Sequence, residues 1–170
     1  MENSSPCSSD SRKVNLKENR RERMTMSETK LPLKPGDNYV YSKTITETDV
    51  VLFGAATGDM SRMHFNEQFM QTTKYGTRIV HGPLTFCMAS TASTLIQQKY
   101  EAGIPSVSYG YDHVRFTAPV FFGDTLTATY TVKEVDEEAM KTFADIVVVN
   151  QHDEVVCVCK HILKFFEIEE

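Results

Sequence analysis

Two side chains that can exchange protons, Asp59 and His64, lie five residues apart in this sequence. Residues 79–83, Ile-Val-His-Gly-Pro, follow them and lead into a long stretch without charge. A carboxylate and an imidazole are common groups in general acid–base catalysis. Free backbone N–H groups at a helix start near Gly82 would stabilise negative charge on an oxygen atom. Together these groups are what a protein needs to add or remove water next to a carbonyl group.

The segments before Gly82 are predicted to hold Asp59 and His64 in a loop between two helices. The first helix should end at Gly58, since glycine is favoured just past a helix C-terminus, and Gly76 should close the second. In chain order, we predict a strand over 39–45, a helix that begins at Thr46 or Thr48, a short helix over 66–74, and a short strand before Gly82.

The residues from Gly82 onward are predicted to form one long helix and four strands. No charged residue occurs between Gly82 and Gln98, so the helix over 82–100 should be buried on nearly all sides. Period-two alternation then predicts strands over 107–116, 126–132, 143–149 and 155–166, with a bulge near residues 112–113. The expected fold class is α+β, with an antiparallel sheet of about five strands wrapped around the long helix.

Charge and composition exclude several function classes. The chain has 170 residues and a formal net charge of −5, which argues against nucleic-acid binding. No apolar run is long enough to span a bilayer, so no membrane partner is expected. Four cysteines do not make a disulfide scaffold in a chain of this length, which favours a reducing, cytoplasmic location.

The first 30 residues differ from the rest in composition. They carry seven Lys or Arg and five Asp or Glu, a net charge of +2, so the other 140 residues sum to −7. Few apolar side chains occur there, and we predict a disordered N-terminal tail over 1–30 followed by a single domain over 31–170. The tail is interpreted as dispensable, with Met26 as an alternative start. The other interpretation is a regulatory or contact tail.

Taken one at a time, the candidate residues have ordinary structural interpretations. Asp59 could occupy a turn, and His64 could be a satisfied polar group at a helix start. Ser90, on the long helix, could be a small packing residue, and His81 a structural residue at the end of a strand. None of these residues identifies a reaction alone.

No metal is expected from the sequence. Cys157 and Cys159 alternate on one predicted strand, a spacing that some metal sites use. No second pair accompanies them, so core packing is favoured over a metal site. The five histidines are not spaced as a zinc cluster.

The combination of motifs is more specific than its parts. Residues 57–64, Thr-Gly-Asp-Met-Ser-Arg-Met-His, resemble the signature of the MaoC-like (R)-specific enoyl-CoA hydratases, which runs roughly Gly-Asp-x-Asn-Pro-x-His. The segments 79–85, 114–120 and 123–126 are similar to the same family. The resemblance therefore extends over residues 39–166.

The resemblance implies a hot-dog fold, in which a sheet wraps a long central helix, and at least a dimer. It also implies an acyl-CoA substrate and reversible addition of water to the enoyl double bond, which gives an (R)-3-hydroxyacyl-CoA. Coenzyme A then belongs to the substrate, and no separate cofactor is expected. By position, the catalytic pair is matched by Asp59 and His64, the backbone donor to the thioester oxygen by Gly82, and a supporting helix serine by Ser90.

Two residues depart from the family signature. Ser61 stands where asparagine is usual, and Arg62 stands where proline is usual. Losing asparagine would change how Asp59 or the water is held, while a guanidinium beside this loop would suit a second carboxylate on the acyl group. Ser61 and Arg62 are therefore expected to contact substrate, with an itaconyl- or mesaconyl-type thioester as the hypothesis. The alternative is that Arg62 faces solvent or pairs with Glu67.

Two other functions fit the same sequence. A hot-dog thioesterase would hydrolyse the thioester instead of hydrating the double bond. A non-catalytic module would only bind acyl-CoA or dimerise. Whichever holds, the phosphates of coenzyme A need basic partners, and the available ones are Lys74, Arg78, Lys99 and Arg115.

Overall fold

The computed structural model describes residues 31–100 and 104–167. Its elements are β1 (Asn38–Thr44), α1 (Glu47–Thr57), α2 (Arg62–Phe65), α3 (Glu67–Met70), α4 (Gly82–Lys99), β2 (Ser106–Phe116), β3 (Thr125–Asp136), β4 (Lys141–Val149) and β5 (Val155–Phe165). The five strands form one antiparallel sheet in the order β1-β3-β4-β5-β2, so β1 and β2 are its edges.

The long helix α4 packs one face against this sheet. Small residues at Ala89 and Ala92 are fully buried there and let the helix approach the strands closely. On β3, every second residue enters the same core, namely Leu126, Ala128, Tyr130 and Val132. This is the hot-dog arrangement that the resemblance implies, and the α+β fold class is confirmed.

The opposite face of α4 is exposed in the single chain, which differs from the prediction. Pro83, Cys87, Ser90 and Thr94 recur at helical spacing on this open face. The uncharged sequence suggested burial on nearly all sides, but the sheet of one chain covers only one side. The other side is uncharged and open.

Local signals set the ends of α1 as predicted. Thr46 is the N-cap, and its hydroxyl accepts a hydrogen bond from the N–H of Asp49. The Asp49 carboxylate accepts from the N–H of Thr46 over 2.8 Å, which completes a capping box. At the other end, Gly58 adopts the left-handed conformation with φ of 79°.

The segment between α1 and α4 is more broken than predicted. The helices α2 and α3 are single turns, so His64 lies in a helix and not in a loop. The helix predicted over 66–74 begins at its Asn66 cap but ends at Met70, where the hydroxyls of Thr72 and Thr73 donate to the last carbonyls. The strand expected before α4 is reduced to one bridge, Ile79 with Phe121.

The bulge in β2 and the burial of two cysteines on β5 agree with the sequence predictions. The strand β2 carries the predicted bulge, since its register with β5 slips after Asp112 and His113 has a φ of 53°. Cys157 and Cys159 are buried on β5, as core packing requires. Among the described helices, none has the length and apolar character to cross a bilayer. The tail over 1–30 lies outside the described residues, so that division of the chain stays a prediction.

Candidate functional site

Asp59 lies in the turn that follows α1. Gly58 reverses the chain there, and the exposed Asp59 carboxylate accepts a hydrogen bond from the N–H of Ser61 over 3.3 Å. The Ser61 hydroxyl accepts in turn from the N–H of Met63 over 3.4 Å and caps α2. Serine and asparagine are both good N-caps. Ser61 therefore has a local role that the asparagine of the family signature could also fill.

His64 lies in α2 and is 9% exposed. A carbonyl oxygen only accepts hydrogen bonds, so the 2.7 Å contact to Ile79 requires Nδ1–H to be the donor. This leaves Nε2 with a free lone pair. Burial lowers the pKa of His64, and neighbouring His81 lowers it further, against the opposing effects of the Ile79 carbonyl and the Asp59 charge. His64 is therefore neutral at neutral pH and can accept a proton at Nε2.

His81 connects these two residues. It is fully buried, and its Nε2–H donates to the backbone carbonyl oxygen of Asp59 over 3.0 Å. Its ring stacks on the ring of His64, with centroids 3.6 Å apart and planes inclined by 30°. Phe53 and Phe65 lie beside it, with centroid distances of 4.9 and 5.9 Å. The sequence suggested only a structural residue here, and the one available signal was its position next to the glycine that begins α4.

Three polar side chains form a cluster at this point. One polar atom from each of Asp59, His64 and His81 lies within 4.8 Å of the other two such atoms. The sequence did not predict this cluster, because its members come from three separate segments. Such a donor set suits zinc by composition. However, imidazole lone pairs lie in the ring plane, and two stacked rings do not direct them at one point. The cluster is therefore better described as an acid–base group.

The N-terminus of α4 lies next to this cluster and has no side-chain cap. In the described part of the chain, no hydrogen bond uses the N–H of Gly82, and Pro83 has no N–H. Packing also requires glycine at this position, because a Cβ on Gly82 would lie 2.9 Å from the Phe116 ring. The helix start thus presents a free donor at the positive end of the helix dipole.

A groove of about 450 Å³ runs beside His64 and Gly82. Its wall combines apolar side chains such as Phe116 with polar ones, and Lys74 is the cation among its described residues. Asp59 is not part of this wall. The groove is therefore a place where an acyl thioester could reach both the imidazole and the helix start.

Three other predicted residues lie away from the groove wall. Ser90 is exposed on the open face of α4. Ser61 is exposed in the turn, and Arg62 is exposed with its guanidinium 3.9 Å from the centre of the Phe69 ring. Glu67 does not pair with Arg62 in the structure. The roles of these residues in substrate binding stay predictions.

Arg78 connects α1 and α3 beneath the site. Its guanidinium pairs with Glu47 over 2.8 Å and with Glu67 over 3.4 Å. It also lies over the Phe122 ring, 4.6 Å from the centroid. Arg78 is thus held by two ion pairs, whereas Lys74 forms none among the described residues and lies 5.1 Å from the centre of the Tyr75 ring. The sequence suggested Arg78 only as a partner for phosphate.

Gly54 sets how closely α1 packs on the site, and sequence analysis missed this role. A Cβ on Gly54 would lie 2.6 Å from the Phe65 ring and 3.2 Å from the carbonyl oxygen of Asp59. Phe65 directly follows His64. A glycine inside a helical pattern was the available signal, since it costs stability unless packing requires it.

Comparison with known proteins gives consistent matches. An (R)-specific enoyl-CoA hydratase from Rhodospirillum rubrum is 38% identical over 112 residues, which cover 65% of this chain and 74% of the relative. A 3-hydroxyacyl-thioester dehydratase Z from Mycobacterium tuberculosis is 30% identical over 128 residues, which cover 72% of this chain and 83% of the relative.

Solved structures agree with the sequence matches. The (R)-hydratase from A. caviae involved in PHA biosynthesis superposes with a TM-score of 0.68 at 27% identity, covering 78% of this chain and 96% of the other. The MaoC like domain family matches residues 32–156, a range that contains Asp59, His64 and Gly82. With more than half of its residues matched, this chain belongs to the MaoC-like domain family.

Proposed function

We propose that this chain is a hydratase of enoyl-CoA thioesters. It reversibly adds water to the double bond and gives an (R)-3-hydroxyacyl-CoA. The observation that carries the proposal is the approach of the Asp59 carboxylate and the His64 imidazole, within 4.8 Å, next to the free N–H of Gly82. The hydratase and dehydratase names of its relatives support it.

In the proposed reaction, His64 and Asp59 act on the attacking water in different ways. Neutral His64 takes a proton from the attacking water at Nε2. The Asp59 carboxylate accepts a hydrogen bond from the other O–H of this water and so orients it. The water oxygen bonds to Cβ, and the π electrons move through Cα to the thioester oxygen. His64 then returns its proton to Cα as the enolate collapses. One water is added, and no proton is gained or lost overall, so no cofactor is needed.

The thioester oxygen gains negative charge in this step. The N–H of Gly82 is the proposed donor, because it is unused and lies at the positive end of α4. Removing one such donor typically lowers the rate about 10²- to 10³-fold. Gly82 therefore serves the proposed reaction through its backbone.

The coenzyme A part of the bound substrate would extend out of the groove next to Lys74. This ammonium lies on the groove wall, while Arg78 is held by two carboxylates. Lys99 is at the other end of α4, and Arg115 donates to the carbonyl of Val114. Lys74 is thus the best placed of the four basic candidates to meet a phosphate of coenzyme A.

A second carboxylate on the acyl group is a narrower form of the proposal. Arg62 would hold it, since its guanidinium is exposed two residues before His64, although it lies over Phe69 in the single chain. Ser61 would help to hold the water and Ser90 would support the site from the helix. Arg62→Ala is compared on mesaconyl-CoA and crotonyl-CoA. A larger loss on mesaconyl-CoA supports the anchor, and an equal loss on both rejects it.

A second copy of this chain is the proposed partner. The open face of α4 is uncharged, and the edge strand β2 exposes Val107, Tyr109 and Phe116 at 49%, 62% and 50%. An exposed apolar edge strand is a template for pairing with another strand. Because Phe116 also lines the groove, a partner on β2 would close the groove mouth. Light scattering on the purified chain should give twice the monomer mass or a higher multiple.

We also propose a cytoplasmic location. The described cysteines Cys87, Cys157 and Cys159 are free thiols, and Cys87 is exposed. Such thiols persist in reducing compartments. Fractionation of cells that express the chain would test the location.

One experiment separates the hydratase from its two rivals. The protein is incubated with crotonyl-, mesaconyl- and itaconyl-CoA, and loss of the conjugated double bond and release of free thiol are followed separately. A hydratase removes the double bond without releasing thiol, and chiral analysis of the product should give the (R) alcohol. Thiol release alone would indicate a thioesterase. Binding without turnover of any substrate would indicate an acyl-CoA-binding module.

A further inference from the structure

One fully buried side chain, His81, contacts both Asp59 and His64 and directly precedes Gly82 in the chain. Its Nε2–H donates a hydrogen bond to the backbone carbonyl oxygen of Asp59 over 3.0 Å, and its ring centroid lies 3.6 Å from that of His64. Its peptide bond leads directly to Gly82, whose N–H is the proposed donor to the thioester oxygen. A change at His81 would therefore move the carboxylate, the imidazole and the helix start together.

Packing alone does not explain a histidine at this position. The pocket is formed in part by Phe53 and Phe65, which an apolar side chain would suit. In the described residues, the buried Nδ1 of His81 has no hydrogen-bond partner. A buried acceptor without a partner is destabilising. The imidazole is present despite this cost, which points to a use beyond packing.

The stacked arrangement has a consequence for proton transfer. Burial lowers the pKa of His64, and electrostatic repulsion from the His81 ring, whose centroid lies 3.6 Å away, lowers it further. The other titratable groups near the pair are the Asp59 carboxylate on the turn and, on the groove wall, Lys74 and Tyr75. Of these, Asp59 alone would favour a protonated His64.

We propose that His81 is a positioning residue that orients Asp59 and His64 and, through its ring stacked on His64, disfavours the imidazolium form of His64. This proposal rests on the hydratase function proposed above. In that reaction His64 must accept a proton from water and then give it to Cα. A neighbour that disfavours the imidazolium makes His64 release the proton more readily, which favours delivery to Cα over accumulation of the charged form.

Two variants separate the hydrogen bond from the ring. In His81→Phe the aromatic ring stays but the donor to the Asp59 carbonyl and the second titratable group are lost. In His81→Gln an N–H donor stays but the stack is lost. We expect both to lower kcat by about 10- to 100-fold, less than the roughly 10²- to 10⁴-fold contributed by a group that itself transfers the proton, while KM changes by less than about threefold. The acid limb of the profile of kcat/KM against pH should move to higher pH in both.

A direct titration keeps the test independent of turnover. The histidine side-chain signals of the intact protein are followed by ¹⁵N-detected NMR against pH in the wild type and in His81→Phe, with circular dichroism as the folding check. His161→Gln is the matched control, because His161 is equally buried but lies outside the site. His64 should take up its proton at higher pH in His81→Phe and at the wild-type pH in the control.

The outcomes distinguish the two proposals. An unchanged titration of His64 in folded His81→Phe would overturn the positioning role, even if the hydratase activity is real. Loss of all turnover in both His81 variants, as deep as in His64→Ala, would also overturn it and make His81 a direct participant. If the wild type has no hydratase activity but the His64 titration still shifts, the proposed function fails and the coupling of the two rings stands.

Discussion

The Nδ1–H of His64 donates to the backbone carbonyl oxygen of Ile79 over 2.7 Å. This contact joins α2 to the segment that leads into α4, and it fixes the tautomer of the imidazole. Nε2 is then the one basic nitrogen of the ring. The proposed reaction depends on this arrangement, because a ring with Nε2 protonated and Nδ1 bound could not accept a proton from water.

The pH dependence of activity follows from the direction of the His64 pKa shift. Burial lowers this pKa from its ordinary value near 6.5, and the neutral ring is the active base. Activity should therefore be constant through neutral pH and fall as the pH drops through the lowered pKa, below 6.5. The measurement is kcat/KM for crotonyl-CoA between about pH 5 and pH 8, with circular dichroism at each pH. An acid limb centred above 6.5 in the folded protein would contradict this assignment.

Gly54→Ala should reduce activity more than stability. Alanine favours a helix by about 1 kcal/mol over glycine, but its Cβ would lie 2.6 Å from the Phe65 ring. The ring must shift, and the neighbouring His64 shifts with it. We expect at least about a tenfold lower kcat, as for a misplaced catalytic group, with a melting temperature near that of the wild type.

Gly110→Ala is the control for this substitution. No atom lies within 4 Å of a Cβ built on Gly110, so the same chemical change meets no neighbour there. Its kcat should equal that of the wild type. Equal activity of Gly54→Ala and Gly110→Ala would show that the contact between α1 and Phe65 does not position the catalytic pair.

Lys74→Met should weaken binding of the coenzyme A part of the substrate. The ammonium is exposed on the groove wall, and exposed ion pairs contribute up to about 1 kcal/mol. We expect KM for crotonyl-CoA to rise about two- to fivefold at low salt with kcat unchanged, and the difference to shrink at high salt. Lys99→Met, at the far end of α4, should leave KM unchanged. A similar rise in both variants would indicate a general charge effect.

His161 should make stability depend on pH. It is fully buried between the Tyr130 hydroxyl and the Ser108 hydroxyl, each 2.9 Å away, and burial lowers its pKa to about 4. Below the ordinary pKa near 6.5, the unfolded state binds a proton that the folded state does not, so stability falls as the pH falls from 6.5 towards 4. Between pH 7.5 and pH 5 this single group should lower the free energy of unfolding by about 2 kcal/mol.

Urea unfolding at the two pH values tests the role of His161. His161→Gln is less stable at pH 7.5, because one of the two hydroxyl contacts is altered. Its free energy of unfolding should nevertheless change less than that of the wild type between pH 7.5 and pH 5. The same pH dependence in both proteins would mean that other groups, such as His64, account for it.

Much of the fold was predictable because its signals are local. The ends of α1 are set by the Thr46 capping box and by Gly58 in the left-handed conformation, both visible in sequence. Alternation fixed the strands of the sheet, and the loss of alternation near Asp112 marked the bulge in β2. The single-turn helices between α1 and α4 were not predicted in detail, since one turn has too few residues for a helical period.

The site residues that belong to a local sequence motif were predictable, and those that depend on tertiary contacts were not. Asp59 and His64 were visible because they share one motif, and Gly82 because it begins a long uncharged helix. His81 and Gly54 depend on contacts between segments that are distant in sequence. A glycine inside a helical pattern indicates close packing at Gly54, but it does not identify Phe65 as the partner. The open face of α4 was not predicted, because the sequence of an uncharged helix does not show whether the sheet of its own chain covers one side or all sides.

The rate of hydration of crotonyl-CoA by isosteric variants tests the proposed reaction most directly. Asp59→Asn keeps the shape of the side chain but removes its charge, and His64→Gln removes the basic Nε2. Both variants should fold like the wild type by circular dichroism and lose about 10²- to 10⁴-fold in kcat, with a smaller change in KM. A folded His64→Gln that hydrates crotonyl-CoA at the wild-type rate would contradict the assignment of His64 as the base.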